Sequence, residues 1–540
     1  MGAVGSRAAW VVAGLVASSA LGLDPRVPSA VAKAPLFLTA ALATLSLGGR
    51  RARLTTGNAW LTLTAGWLML SLAWATHPDP LRFAPLVASP LFALALAGLP
   101  REDRLSLAFR VACVACVVAG AAAVIELALG LVPRGVQGNP NWSGLELAVA
   151  FPLVWHGARR SETPTCARIF AAAALVFAAA GLALSGSRTA WLATVVALFA
   201  LERSRVRWLA VALGVAIAVY SGIRGDLGAS LLGRVWIARA SLAAAIDALP
   251  LGTGLGDFPF AFLDAQGTLL ERLDVADAAT RFSNAVTAHD DVLELFATGG
   301  PVALALAVAT LLACATVRGR DAPVVRAVIL ATATGALGDS SLALPLVALA
   351  LAFATAATPR LPRLPRDAGL VFGALALASV LLVLGVRRYA SQVLVADARL
   401  EHTTRRAALL ERAVLADPGD GEAWLELGIA RHEAGDFDGA AAGVEHSLAL
   451  LANTGTYVAL GNAEAHRERT RAIAAYRRAL SWHPGSLRAR TNLARVLLDD
   501  GRLDDAAREV EHCQRLAPTH AKVVDLKEAL RRARIDDASN

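Results

Sequence analysis

Charged residues are scarce in this 540-residue chain: Asp, Glu, Lys and Arg make up only 18% of it, against 56% hydrophobic residues. A soluble domain is about a quarter charged, so the shortage excludes a chain wholly surrounded by water. Cysteine is rarer, with five residues. Cys113 and Cys116 form a CxxC, but inside the apolar run RVACVACVVAGAAAV, where small residues mark a helix contact rather than a redox pair. Cys166, Cys314 and Cys513 have no partner at a suggestive spacing, and no metal site is expected. Nucleic-acid binding is excluded by placement: the net charge is +8, but the basic residues form short clusters between apolar runs, as topology signals do.

Apolar runs of ~17–25 residues recur up to about residue 386, each long enough to cross a ~30 Å hydrocarbon core as a helix. Thirteen candidate spans cover about 8–23, 31–48, 57–76, 81–99, 105–131, 142–157, 168–184, 188–202, 206–222, 290–316, 322–339, 341–357 and 368–386. The first lacks a convincing cleavage site and reads as a transmembrane helix, not a removable signal. Alternate connections carry Arg50, Arg51 and Arg53; Arg101 and Arg104; Arg159 and Arg160; Arg203, Arg205 and Arg207; Arg318 and Arg320; and Arg360, Arg363 and Arg366. The positive-inside rule places these clusters and the N-terminus in the cytoplasm. Left outside are VPRGVQGNPN at 132–141, SGS at 185–187, the long loop 223–286, GDSS at 338–341 and everything after 387.

From Arg387 onward no run could span. After a linker at 387–399, residues 400–540 carry a period of about 34. Trp424, Leu427, Gly428, Gly435 and Ala440 make one copy; Tyr457, Leu460, Gly461, Ala472, Tyr476, Ala479 and Pro484 a second; Leu493, Ala494, Gly501, Ala506 and Pro518 a third. The pattern resembles tetratricopeptide repeats, whose stacked helix pairs hold a protein or peptide partner. The expected fold is therefore all-α: a polytopic membrane domain at 1–386 with about 12–13 transmembrane helices, followed by an extracytoplasmic α-solenoid. DFD at 436–438 falls in an inter-helix turn, where solvated acids are ordinary.

Three outward-facing pieces carry chemistry. Arg188, in LSGSRTAWLA, lies at a membrane boundary on the outer side, against the charge bias, which weighs for an anion site over simple snorkelling. Arg234 and Trp236, in LLGRVWIARA, open the long loop, which also carries PLGTGLGDFPF at 250–260. That glycine run follows no strand and opens no dinucleotide-binding unit, so it reads as a tight turn that packs the loop down. Third, TAHDDVLELFATGG starts the next helix: Thr287 is expected as its N-cap, with Asp290, Asp291 and Glu294 at the positive end of the dipole. Helix-start chemistry explains the acids and does not require His289. Two arginines and a histidine suit glycosyl transfer from a polyprenyl pyrophosphate. Guanidinium forks stabilise the pyrophosphate leaving group, and histidine takes the acceptor proton.

The order of these pieces resembles the O-antigen ligase and polymerase family over about residues 30 to 357: GNPN at 138–141, SGSRTAWLA at 185–193, GRVW and PLGTGLGDF in the long loop, then AHDDVLELFATGG. The resemblance implies a polytopic, GT-C-like inverting enzyme of a bacterial inner membrane that takes glycan from undecaprenyl pyrophosphate without a metal or other cofactor. It implies pyrophosphate binding by Arg188 and Arg234 and acceptor activation by His289, and it makes Arg134 and Asn141, in the outer connection 132–141, further substrate-binding candidates. The chain departs from the family at Asp290, where relatives often carry Asn. The expected activity is transfer to a glycan, lipid or protein acceptor. The alternatives are a repeat-unit polymerase, a transporter of lipid-linked sugar, and a membrane-tethered repeat scaffold without catalysis.

Overall fold

The computed structural model describes residues 54–161, 163–202, 227–285, 287–362 and 367–539, together with Pro35, Thr39, Ala40, Trp208 and Ala212. Three predicted spans (8–23, 31–48 and 206–222) and several of the arginine clusters lie largely outside these residues. Among the described residues there are 21 α-helices and no strand. The chain divides into two units.

The first unit takes residues up to 232, then 248–257 and 287–389. Its helices are α1 (Thr56–Leu70), α2 (Ala84–Gly98), α3 (Arg101–Ala128), α4 (Pro140–Ala158), α5 (Thr165–Ser185), α6 (Arg188–Leu201), the start of α7 (Leu227–Asp247), α10 (Asp291–Ala315), α11 (Ala322–Ala336), α12 (Pro345–Ala356) and most of α13 (Asp367–Ala398). Helices α8 (Phe258–Leu270) and α9 (Val275–Arg281) fall in the second unit. Each described span read from hydropathy coincides with a helix, but only α3, α5, α10 and residues 375–398 of α13 are long and apolar enough to cross a membrane. Helix α12 has 12 residues, a rise of ~18 Å where ~30 Å is needed. The hydropathy of 341–357 is thus shared between this short helix and the non-helical approach to it.

Small residues decide how these helices meet. A Cβ on Gly120 of α3 would lie 2.1 Å from the carbonyl oxygen of Phe177 on α5, and one on Gly181 would lie 3.1 Å from Gly120 Cα. Cys113 and Cys116, on α3, are wholly buried, as a helix contact requires.

Helix α10 is broken at Gly300 (φ 65°, ψ −168°), followed by Pro301. Proline has no N–H to give the carbonyl four residues back, so carbonyls ahead of the break lose their helical partners. The glycine turn replaces them. Thr253 N–H donates to Ala297 O (2.8 Å) and Gly254 N–H to Thr298 O (2.9 Å), while Trp67 Nε1 donates to Gly299 O (2.7 Å). Such an approach admits no side chain: a Cβ on Gly252 would stand 2.5 Å from Gly300 N, and one on Gly256 2.1 Å from His77 O. GTGLG is a packing turn, as its sequence context indicated.

The second unit joins residues 233–247 and 258–286 to 390–540. Helix α14 (Thr403–Ala416) precedes three helix pairs, α15 (Gly421–Glu433) with α16 (Phe437–Leu448), α17 (Thr454–Glu464) with α18 (Arg469–Trp482), and α19 (Leu487–Asp499) with α20 (Leu503–Leu516); α21 (Ala521–Ser539) comes last. The small residues that set the repeat period lie where the pairs cross: a Cβ on Gly428 would meet Val444 Cγ2 at 2.5 Å, and one on Gly461 the Tyr476 ring at 2.5 Å. The domain boundary differs from that expected. Of the expected linker 387–399, residues 387–398 are the end of α13, which contains no glycine or proline there to stop it. Val395 and Ala398 pack with Leu410, Ala413 and Leu427 in the first core of the array.

Helices α8 and α9, expected as part of the membrane domain's outer loop, pack instead on the repeats. Trp482 Nε1 (2.6 Å) and the Arg478 guanidinium (3.0 Å) both donate to Asp264 Oδ1. A Cβ on Gly267 would lie 2.1 Å from Ser481 O, and one on Gly485 2.4 Å from Ala279 N. Phe282 stacks on His483 with centroids 3.8 Å apart. Asp436 accepts from Gly439 N–H (2.9 Å) as the N-cap of α16, so the first DFD acid serves a turn, while Asp438, inside the helix, pairs with Arg467.

Candidate functional site

The N-terminal ends of α4, α6 and α10 meet around the 337–344 turn of the first unit. Asp339, in that turn, is buried, with 2% of its side chain exposed. Its Oδ1 lies 3.3 Å from His289 Nδ1 and 3.4 Å from Trp142 Nε1 on α4, and also accepts from the Ser340 N–H at 2.8 Å. The residue before it, Gly338, lies against Thr189 of α6, whose Oγ1 a Cβ there would meet at 2.8 Å. One turn thus ties together the histidine and the two helices that carry Asn141 and Arg188.

His289 has φ 51°, in the left-handed region, which non-glycine residues seldom occupy and which costs of order 1–3 kcal/mol. Its side chain is 39% exposed. In the tautomer that carries its proton on Nδ1, the ring donates to Asp339 and turns Nε2 outward as an acceptor, the arrangement in which a buried carboxylate orients an imidazole.

The helix itself begins later than expected. Asp290, not Thr287, is the N-cap: its Oδ1 accepts from Val292 N–H (2.9 Å) and Leu293 N–H (3.0 Å). The left-handed turn at His289 separates Thr287 from the helix. Asp291 is wholly buried, and its Oδ2 accepts from Ser341 N–H, Ser341 Oγ–H and Leu342 N–H at 2.7, 2.8 and 2.9 Å. Both acids are structural: one starts the helix and the other fastens the turn that holds Asp339. Glu294 reaches back to the Ala288 N–H (3.0 Å) and pairs with Arg82. Among the described residues no group of three His, Cys, Asp or Glu side chains is spaced for a metal ion.

Arg188 is the first residue of α6, behind Ser187 as N-cap; it is half-buried, with no ion-pair partner among the described residues. Asn141 lies in the first turn of α4, and its N–H donates to Asn139 Oδ1 (2.9 Å). Arg134 has an exposed side chain and a fixed backbone: its N–H donates to Glu126 Oε2 (2.7 Å), and its carbonyl accepts from Ser143 Oγ (2.9 Å). The first unit therefore brings Arg134, Asn141, Arg188 and His289 to one end of its helices. Arg234 is on α7 in the stretch belonging to the second unit.

Asp339, Trp142 and Arg82 were not singled out in the sequence. The available signals were an acid inside GDSS and, at Arg82, an arginine at the start of the predicted span 81–99. A further pair lies in the same unit: His77 Nδ1 is 2.7 Å from Asp257 Oδ1, and the Asp257 carboxylate also accepts the N–H groups of Thr76 (2.6 Å) and His77 (2.7 Å).

Residues 463–530 match the tetratricopeptide repeat family model, so this part of the second unit is a tetratricopeptide repeat array. Comparison with curated proteins gives no match. Among solved structures the chain is similar to yeast Tom70, at 12% identity and a TM-score of 0.25, over 94% of this chain and 92% of that one. It is likewise similar to the APC/C hetero-tetramer Cut9–Hcn1, at 14% identity and a TM-score of 0.26, over 84% and 90%. Both likenesses are too distant to bear on fold or function.

Proposed function

We propose that the first unit is a membrane-embedded glycosyltransferase of the O-antigen ligase kind. It transfers glycan from an undecaprenyl-pyrophosphate-linked donor to an acceptor hydroxyl on the extracytoplasmic face. The observation that carries this reading is the His289–Asp339 pair beside the start of α6, where Arg188 stands. In the reaction the acceptor oxygen bonds to the anomeric carbon and the bond from that carbon to pyrophosphate breaks. His289 Nε2 takes the acceptor proton, and Arg188 with the positive ends of α4 and α6 binds the departing pyrophosphate.

Membrane embedding is supported by the side chains that face outward: Ile125 and Leu127 on α3 and Ile169 and Val176 on α5 are each more than half exposed. Unpartnered apolar surface of this kind is stable in lipid. Loop helices α8 and α9 share a unit with the repeats, which supports an extracytoplasmic repeat domain on the side where the loop lies. In membranes of the host, Arg188→Ala is expected to abolish transfer while the protein accumulates normally. Full transfer in that variant refutes the pyrophosphate role.

A second reading, a membrane-tethered scaffold whose activity resides in the repeats, is favoured by the family match at 463–530, since stacked repeats present an extended surface to protein partners. It predicts that His289→Ala is silent and that variants of the repeat surface are not.

A further inference from the structure

Among the described residues only two that are not glycine have positive φ, Phe83 (60°) and His289 (51°). A side-chain bridge links their neighbourhoods. The guanidinium of Arg82, next to Phe83, donates to Glu294 Oε1, and Glu294 Oε2 accepts the N–H of Ala288, next to His289 (3.0 Å). The bridge is buried, with 14% of the Arg82 side chain and 2% of Glu294 exposed. The far side is anchored too: Asp257 holds the N–H groups of Thr76 and His77, and Asp79 N–H donates to Leu255 O (3.1 Å). A continuous path therefore runs from the glycine turn at 252–256 through the 76–83 segment and Glu294 to the backbone of His289.

We propose that the Arg82–Glu294 pair is a positioning device that holds His289 in its left-handed conformation and so keeps Nδ1 against Asp339. A left-handed residue persists only where its surroundings over-determine it. Asp290 and Asp291 fix the chain on the C-terminal side of His289; among the described residues, Glu294 fixes the Ala288 N–H on its N-terminal side. A buried carboxylate stripped of its cation takes up a proton or turns to another donor. Without Arg82, Glu294 then releases Ala288, and His289 relaxes to an ordinary negative φ that swings its ring off Asp339. Arg82 and Glu294 act through the histidine, so neither needs to touch substrate. The consequence for transfer rests on the function proposed above; the hold on the backbone does not.

The test compares the full-length protein with Arg82→Met, Arg82→Lys, Glu294→Ala and His289→Ala. Amide exchange over 287–293 is read in purified protein in micelles, and transfer is read from the glycan profile of host membranes. Arg82→Met and Glu294→Ala are expected to keep the wild-type melting temperature within a few degrees and to speed exchange in that segment alone. Transfer should fall by about 10²-fold, as a displaced catalytic group does, with Arg82→Lys recovering part of both. Unchanged exchange in Arg82→Met and Glu294→Ala overturns the proposal. So does faster exchange with undiminished transfer, provided that His289→Ala abolishes transfer. If His289→Ala transfers normally, the catalytic reading falls, and exchange alone decides whether the bridge holds the backbone. Should Arg82→Met not fold, Arg82→Lys, which keeps the charge without the guanidinium fork, is judged by the same two readings.

Discussion

The turn at 337–344 in the first unit and the start of the repeat array in the second use charge differently. In the array, arginines and acids share partners at least partly in water: Arg399 reaches Glu422 and Glu426, and Arg406 reaches Glu426 and Glu433. In the first, three acids around the 337–344 turn are buried, and each has a definite set of partners. Asp291 fastens one turn, Asp339 meets one histidine, and Glu294 joins one arginine to one backbone amide. Exposed pairs contribute little because water competes and neighbours substitute. A buried carboxylate has no water to replace a lost partner, so removing one member forces the other to give up a contact or its charge. The partly exposed pairs of Arg399 are therefore expected to tolerate change, and the buried acids around the 337–344 turn to hold a geometry.

That contrast can be broken from either side. The largest effect is expected at Gly252, where a Cβ would stand 2.5 Å from Gly300 N on a backbone with φ 81°. Gly252→Val should cost more than about 4 kcal/mol and leave little folded protein in a thermal melt. Asp291→Ala strands Ser341 and Leu342 amides and should cost about 3 kcal/mol by the same measurement.

In the second unit, burial pushes the His483 imidazole down to about 4, from 6.5. The folded state thus favours neutral histidine, and the unfolded chain binds more protons between those values. Stability is fully present above pH 6.5 and is lost as pH falls towards 4. Because His483 stacks on Phe282, protease cleavage within 258–286 should rise over that interval, and His483→Gln should flatten the dependence. The smallest effect is expected for Arg399→Ala, whose side chain is 47% exposed. A shift under about 1 kcal/mol is expected there, and a larger one would show that the exposed network acts as a unit.

Local patterns in the chain were legible where each residue's role depends on near neighbours. Helices could be read from apolar runs, repeats from Gly428, Gly461 and Ala494 at a fixed interval, and the glycine turn from its lack of a flanking strand. Legibility failed where long-range partners decide. Asp339 gains meaning from His289, fifty residues earlier, and Arg82 from Glu294, 212 residues later; neither spacing is periodic. The N-cap was misplaced by three residues because a helix-start pattern does not reveal that His289 turns left-handed. The sharing of α8 and α9 with the repeats rests on Asp264, Gly267 and Gly485 meeting particular repeat residues, a pairing that no local pattern contains.

The central claim is that His289 performs glycosyl transfer, and the most direct measurement is the lipid-linked glycan profile of the host carrying His289→Ala. Accumulation on the carrier is the predicted result. Long chains stranded there with an unmodified acceptor identify a ligase, and single repeat units identify a polymerase. A profile identical to that of the unaltered host, with the variant present at normal levels, would contradict the claim and leave the repeat surface as the seat of function.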